Sequence, residues 1–134
     1  MNGVAALRQV LAADAALTAL VPAPRIVAGV MPQGTALPAV SITSVGANNR
    51  NLADPGANRH VSERVQATVL AANYPAQKAI MAAVTKAAAD KFPTVAGLSA
   101  VTIHALSDGP DFMNEDASIY LGSIDFRITY LEQR

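Results

Sequence analysis

The 134-residue sequence predicts an α+β domain in which an antiparallel sheet of four to five strands carries two helices on one face. Two observations lead to this class. Apolar residues recur every three or four positions in two stretches, as in helices, and alternate with polar residues in several others, as in strands. Strands that are apolar on one side only are typical of antiparallel sheets. The expected order is α-β-β-β-α-β-β, in one domain over residues 1–134.

The first half of the chain is expected to form one helix and three strands. The helix runs to Val21, with alanine between its apolar positions, and Pro22 and Pro24 end it. The strands cover three stretches of β-prone or alternating residues: 25–30, 39–45 and 61–72. Residues 46–60, rich in Asn, Gly and Pro, are expected to form a long polar loop. Loops of that length are uncommon inside domains and are usually functional or mobile.

The second half is expected to contribute one helix and two strands. Asn73 can cap a helix that runs to about Phe92, with Pro75 tolerated in its first turn. A strand, a second polar loop and a long last strand follow, over 101–106, 107–118 and 119–132. Asp125 and Arg127 share the wetter side of the last strand, where they can pair across strands or across an interface.

The composition excludes several classes of site. Without cysteine the chain has no disulfide framework, thiol nucleophile or thiolate metal site. Ten Lys and Arg balance ten Asp and Glu, which argues against a general nucleic-acid-binding protein, and three Phe, three Tyr and no Trp give no stacking platform. Arg8 and Asp14 interrupt the apolar start and no basic region precedes it, so we expect a soluble protein without an export signal.

The charges are unevenly distributed along the chain. Residues 1–107 hold eight Lys and Arg against four acidic residues, whereas residues 108–134 hold six acidic residues against two arginines. The imbalance either reflects chance in a short chain or gives the surface two opposite poles. Opposite poles would suit head-to-tail contact between identical subunits.

A catalytic constellation is not evident in the sequence. His60 and His104 belong to different elements, and neither has a carboxylate at the spacing of a metal site. The acidic stretch 108–116 is interpreted as a solvated turn, because the spacing of a calcium-binding loop puts Ile119 where a glutamate must stand. Phosphate-binding loops and nucleophile elbows are also missing, so we expect neither an enzyme nor a metal or cofactor site.

Three stretches of the sequence together resemble a known protein family. They are RIVAG, MPQG and PAVSI within 25–42, ERVQATVLA over 63–71 with the helix after it, and the closing GSIDFRITY over 122–130. In this order they resemble the tail-completion, or tail terminator, proteins of long-tailed bacteriophages and of phage-like gene transfer agents. The sequence departs from the family at Val27, where an aromatic residue is often found, and in the loop 46–60.

The resemblance implies a structural role in the virion tail or neck, after assembly in the cytoplasm of a bacterial host. Such proteins form a ring, typically a hexamer, that caps the completed tail tube, stops its polymerisation and joins it to the head connector. The implied partners are further copies of the chain, the tail tube protein and the head-closure protein, with no membrane and no sequence-specific nucleic acid, although DNA can pass through the ring. A neck or head-closure adaptor and a small-ligand-binding α+β domain remain alternatives, the latter requiring a pocket with convergent polar groups.

Polar residues with no evident core role are the candidate subunit and partner contacts. We expect the first four of them on an exposed, mobile loop that faces a partner or the tube lumen, and the last two near a subunit boundary. The candidates are Arg50, Asn51, Arg59, His60, Asp111, Glu115, Asp125 and Arg127.

Overall fold

Three α-helices lie against one face of a six-stranded sheet in the computed structural model, which describes residues 2–29, 36–50, 53, 56–114 and 118–133. The elements follow in chain order: α1 (Asn2–Ala13), α2 (Ala15–Leu20), a 3₁₀ turn (Ala23–Arg25), β1 (Ile26–Ala28), β2 (Ala39–Asn49), β3 (Asn58–Ala71), α3 (Tyr74–Ala88), β4 (Leu98–Asp108), β5 (Phe112–Asn114) and β6 (Ile119–Gln133). The predicted α+β class is confirmed. The predicted numbers of helices and strands and their order differ from the structure.

The long strands β3 and β6 form the centre of the sheet. The strand order is β1-β2-β3-β6-β4, and β5 pairs with the first residues of β6, before the part that pairs with β4. The pairing of β1 with β2 is parallel, whereas the remaining pairs are antiparallel as expected. A tight turn would have forced an antiparallel pair, but the longer connection through 29–38 lets the chain start β2 in the direction of β1.

The predicted first helix is interrupted at Asp14. This residue has extended backbone angles, and its carboxylate accepts the Leu17 N–H at 3.0 Å, so it caps a separate second helix. Asn73 caps α3 as expected, with its side chain accepting the Ala76 N–H at 2.9 Å. The helix ends at Ala88 rather than Phe92.

Parts of both predicted polar loops are strand. β2 continues to Asn49 and β3 begins at Asn58, so the connection between them is much shorter than 46–60. The second loop likewise contains the end of β4 and the short strand β5. Polar side chains that point into solvent do not prevent the backbone from pairing. The polar composition of these segments therefore predicted loops where the backbone forms strand ends.

The core lies between the helices and one face of the sheet. Apolar residues at alternate positions of the two central strands are buried there: Val61, Val65, Ala67, Val69, Ile124, Phe126 and Ile128. The helices contribute Leu7, Leu11, Leu17, Ile80 and Val84 to the same cluster. At Gly122, a Cβ atom would overlap the side chains of Met81 and Gln77, so glycine allows α3 to approach β6 closely. None of the described helices has the length and apolar character needed to cross a membrane.

Candidate interaction surface

The face of the sheet opposite the helices, here called the open face, carries a row of basic side chains. Arg64 of β3 stands opposite Arg127 of β6, and Arg127 stands opposite His104 of β4. Like charges directly opposite each other destabilise a sheet by roughly 0.2–1 kcal/mol. An anionic group placed on this row would relieve that repulsion.

Asp125 lies within this basic row. The Arg64 Nε donates to its Oδ2 at 3.1 Å, and the Arg64 Nη2 also contacts that oxygen. Asp125 as a whole is 8% exposed. Its other carboxylate oxygen, Oδ1, is buried and has no hydrogen-bond partner among the described residues. A buried acceptor without a donor costs about 1–3 kcal/mol. Asp125 therefore has one oxygen held by Arg64 and one oxygen enclosed by the fold without a donor among the described residues.

Arg127 is an exposed donor on the open face. Its side chain is exposed, and it forms no hydrogen bond or ion pair within the described part of the chain. Arg64 and Arg127 both line a surface groove of 360 Å³ beside the register shift of β2 between Ser44 and Gly46. The groove thus contains a guanidinium without a partner in the described chain, next to an irregularity in the strand pairing.

Glu63 lies on the covered face of the same strand pair. It is 1% exposed, and its Oε1 accepts the Gly3 N–H at 3.1 Å and the Tyr130 hydroxyl at 3.0 Å. A Cβ at Gly3 would come within 2.8 Å of the carboxylate, so glycine permits this approach. Burial, and then the Glu63 carboxylate, raises the pKa of Tyr130 above its usual range. These contacts fix the start of α1 to the sheet.

Asp111 belongs to a third polar cluster, which ties the β4–β5 connection to α3. Its carboxylate accepts the Lys78 ammonium and the Tyr74 hydroxyl, each at 2.8 Å, and the Gln77 amide at 3.4 Å. The hydrogen bond from Lys78 and then that from Tyr74 lower the pKa of Asp111, and the same carboxylate raises the pKa of Lys78. Buried Gln77 also donates to the Leu121 carbonyl at 2.8 Å.

The candidate residues from the first polar loop lie along the β2–β3 pair. Arg50 directly follows β2, is exposed, and donates its N–H to the His60 carbonyl at 2.9 Å. Arg59 and His60 lie inside β3, and Arg59 is 3.8 Å from the Glu132 carboxylate. The expectation that these two residues lie on a loop was wrong, because the strand starts at Asn58. Asn51 lies outside the described residues.

Asp125 and Arg127 lie together on the open face. Asp125 pairs across strands with Arg64 of β3, which is one of the two arrangements expected, the other being a contact across an interface. Asp111 belongs instead to the cluster around α3, and Glu115 lies outside the described residues. Sequence reasoning missed Arg64 and His104 as neighbours of Arg127. Alternation already placed Arg64 on the polar side of its strand, but the register that joins the three residues is not visible in a single sequence.

Among the described residues, no three His, Asp or Glu side chains come together in a geometry that could hold a metal ion. His104 lies on the surface with its Nδ1 3.0 Å from an oxygen of Asp90. A groove of 510 Å³ lies at the surface beside the exposed Phe92 and beside Pro93, away from the basic row.

Comparison with known proteins agrees with the sequence resemblance. A family model described as tail completion protein gp17 matches residues 5–131. A chain in a solved structure, the virion of a native gene transfer agent particle, is similar in fold, with a TM-score of 0.69 and 22% identity over 96% of this chain and 93% of that chain. A search of curated proteins gave no match. The chain therefore belongs to the tail completion protein gp17 family, whose members are structural proteins of the phage tail or neck.

Proposed function

We propose that this protein forms a homo-oligomeric ring, a hexamer, that caps the end of the phage tail tube. The ring ends tube polymerisation and provides the joint to the head connector or head-closure protein, while DNA passes through its centre. The role is structural and has no catalytic step. One face of the ring complements the last tube ring, and the other does not accept a further tube subunit.

The observation that carries this proposal is the family match over residues 5–131. The open face supports it physically, because Arg127 is exposed there and makes no hydrogen bond or ion pair within the described chain. A subunit or partner contact can satisfy its guanidinium. The balanced total charge with unevenly distributed segments also suits head-to-tail contacts that close a ring.

Tube polymerisation tests the proposal directly. Tube protein from the same particle is polymerised with increasing amounts of this chain, and tube lengths are measured by negative-stain electron microscopy. We expect shorter tubes with a ring at one end. Unchanged lengths and bare ends would contradict the capping role, and binding to head-closure protein alone would favour a neck adaptor.

Matched variants identify the surface responsible. Arg127→Glu places an acidic group on the open face and is expected to reduce capping, while its stability stays within about 0.5 kcal/mol of the wild type. Arg127→Lys keeps the charge and should retain most of the capping. Ala79→Glu adds an acidic group to the exposed surface of α3 and should leave capping unchanged. Equal capping by all three variants would exclude the open face as the contact.

A further inference from the structure

Along about half of its length, the outer edge of β2 has no partner among the described residues. β1 pairs only with residues 40–42, and no described residue pairs with the outer side of β2 from Thr43 to Asn49. The segment 44–49 is exposed and contains neither a charged residue nor a proline. Natural proteins usually protect such edges with charges, prolines or a covering element, since open edges pair readily with another strand.

The hydrogen-bond pattern shows which backbone groups of β2 point outward. Arg50 donates its N–H to the His60 carbonyl, so Arg50 faces β3. Bonding to a given neighbour alternates along an antiparallel strand, and the register is regular from Gly46 to Asn49. The backbone groups of Ala47 and Asn49 therefore face away from β3, towards the open edge.

A second open edge lies at the other side of the same sheet, on β4. The Ile103 N–H donates to the Lys91 carbonyl at 3.0 Å, which pairs the outer side of β4 at that residue. From His104 to Asp108, β4 pairs with β6 on one side and with no described residue on the other. A register shift there leaves Leu106 without a partner on β6 and 41% exposed.

We propose that residues 44–49 of β2 in one copy pair with residues 104–108 of β4 in the next copy, so that the sheet continues from subunit to subunit. The inference rests on the proposed ring and specifies its contact. Strand directions alternate across β2, β3, β6 and β4, so a copy rotated about an axis along the strands presents its β4 antiparallel to β2. Because the two edges differ, the contact is heterologous, and repeating it closes a ring.

Side chains at the two edges complement this pairing. In an antiparallel arrangement, Arg50 at the end of β2 reaches the start of the free β4 edge, where His104 holds the Asp90 carboxylate. Asp90 is highly exposed, and Arg50 has no ion pair with any described residue. Each edge also presents an exposed apolar side chain, Val45 at 54% and Leu106 at 41%. Charge and apolar contact thus favour a second copy as the partner.

The central test compares Ala47→Pro with Ala47→Ser. Proline removes the outward N–H and leaves the ladder with β3 intact, so the variant should keep its thermal melting profile as a monomer. We expect a roughly tenfold rise in the concentration needed for half-assembly, measured by light scattering after size exclusion. Serine keeps the N–H and should assemble like the wild type.

Arg50→Glu and Asp90→Asn test the charge contact. Arg50→Glu should weaken assembly roughly two- to fivefold, since an exposed ion pair contributes little and the new carboxylate repels Asp90. Adding Asp90→Asn should restore part of that loss, and asparagine tolerates the positive φ of 59° at this position. If the two substitutions weaken assembly additively in the double variant, Arg50 and Asp90 do not contact each other.

The outcomes separate this inference from the proposed ring. If the wild type and Ala47→Pro form the same closed oligomer, the ring stands and the edge pairing is wrong. If the wild type stays monomeric even with tube protein, the ring itself is wrong. Slow hydrogen exchange of the Asn49 amide in the oligomer, and fast exchange in the dissociated wild type, would support the pairing independently.

Discussion

Two carboxylates on the central strand pair differ in how their oxygens are satisfied. Glu63 on the covered face is held by the N–H of Gly3 and the hydroxyl of Tyr130, both from its own chain. Asp125 on the open face is nearly as buried, yet only one of its oxygens has a partner among the described residues. Folding thus satisfies the Glu63 carboxylate and leaves one oxygen of Asp125 without a donor, while on the covered face the buried Gln77 Oε1 also has no partner among the described residues.

Gly122→Val should have the largest effect, because it breaks the covered face. A Cβ there overlaps Met81 and Gln77, so α3 must move away from β6. We expect a loss of about 3 kcal/mol in the free energy of unfolding, measured by urea denaturation. Gly56→Ala is the control, since its Cβ meets nothing within 4 Å. A fully stable Gly122→Val variant would contradict the close packing of α3 on the sheet.

Glu63→Ala and Asp125→Ala compare the two carboxylates directly. Removing Glu63 leaves the Tyr130 hydroxyl and the start of α1 without their acceptor, at a cost of about 2–3 kcal/mol. Removing Asp125 also removes its unsatisfied oxygen, so the stability of the monomer should change by less than about 1 kcal/mol. Urea denaturation at concentrations below assembly measures both. Equal losses in the free energy of unfolding would contradict the difference between the two carboxylates.

The stability of the protein at alkaline pH depends on Tyr130 of the covered face. The pKa of Tyr130 is raised above its ordinary value of 10.0 by burial and by Glu63, so the folded state holds this proton more tightly than the unfolded state. The stabilisation is present below pH 10 and is lost as the pH rises above it. Tyr130→Phe should flatten this decline in thermal melts. A decline of unchanged steepness would exclude Tyr130 as its source.

The smallest effect is expected at Asp111, at the edge of the sheet. Its pKa is lowered by the hydrogen bonds from Lys78 and Tyr74, so its contribution is present above its ordinary pKa of 3.8 and is lost as the pH falls below it. Asp111→Asn should therefore reduce the acid sensitivity of the β4–β5 connection. Hydrogen exchange between pH 3 and 6 measures it, with Asp108→Asn as control. The same response in both variants would exclude the cluster.

Periodicity in the sequence predicted the elements that bury apolar side chains. The start of the helix at Asn73 and the alternation of β6 were predicted correctly, because capping and burial impose these patterns, whereas the predicted helix end at Phe92 was too late. The exposed ends of β2 and β3 were predicted as loop, since Gly46, Asn48 and Asn58 lack a strand signature although they pair in the sheet. The break at Asp14 was not predicted, because the residues before and after Asp14 show the same spacing of apolar residues with alanine between them.

The open face was only partly predictable. Alternation placed Asp125 and Arg127 on one side of a strand, but Arg64 and His104 join them through the register of three strands. Register depends on contacts between distant parts of the chain, which a single sequence does not reveal. Arg59 and His60 were assigned to a loop for the same reason, because their pairing with β6 decides that they lie in a strand.

The mass of the protein in solution tests the central claim most directly. Light scattering after size exclusion is recorded over a wide range of protein concentrations, alone and with tube protein from the same particle. The account predicts a closed oligomer with a mass near six times 13.8 kDa that does not grow with concentration. A particle of 13.8 kDa under every condition, indifferent to tube protein, would contradict it.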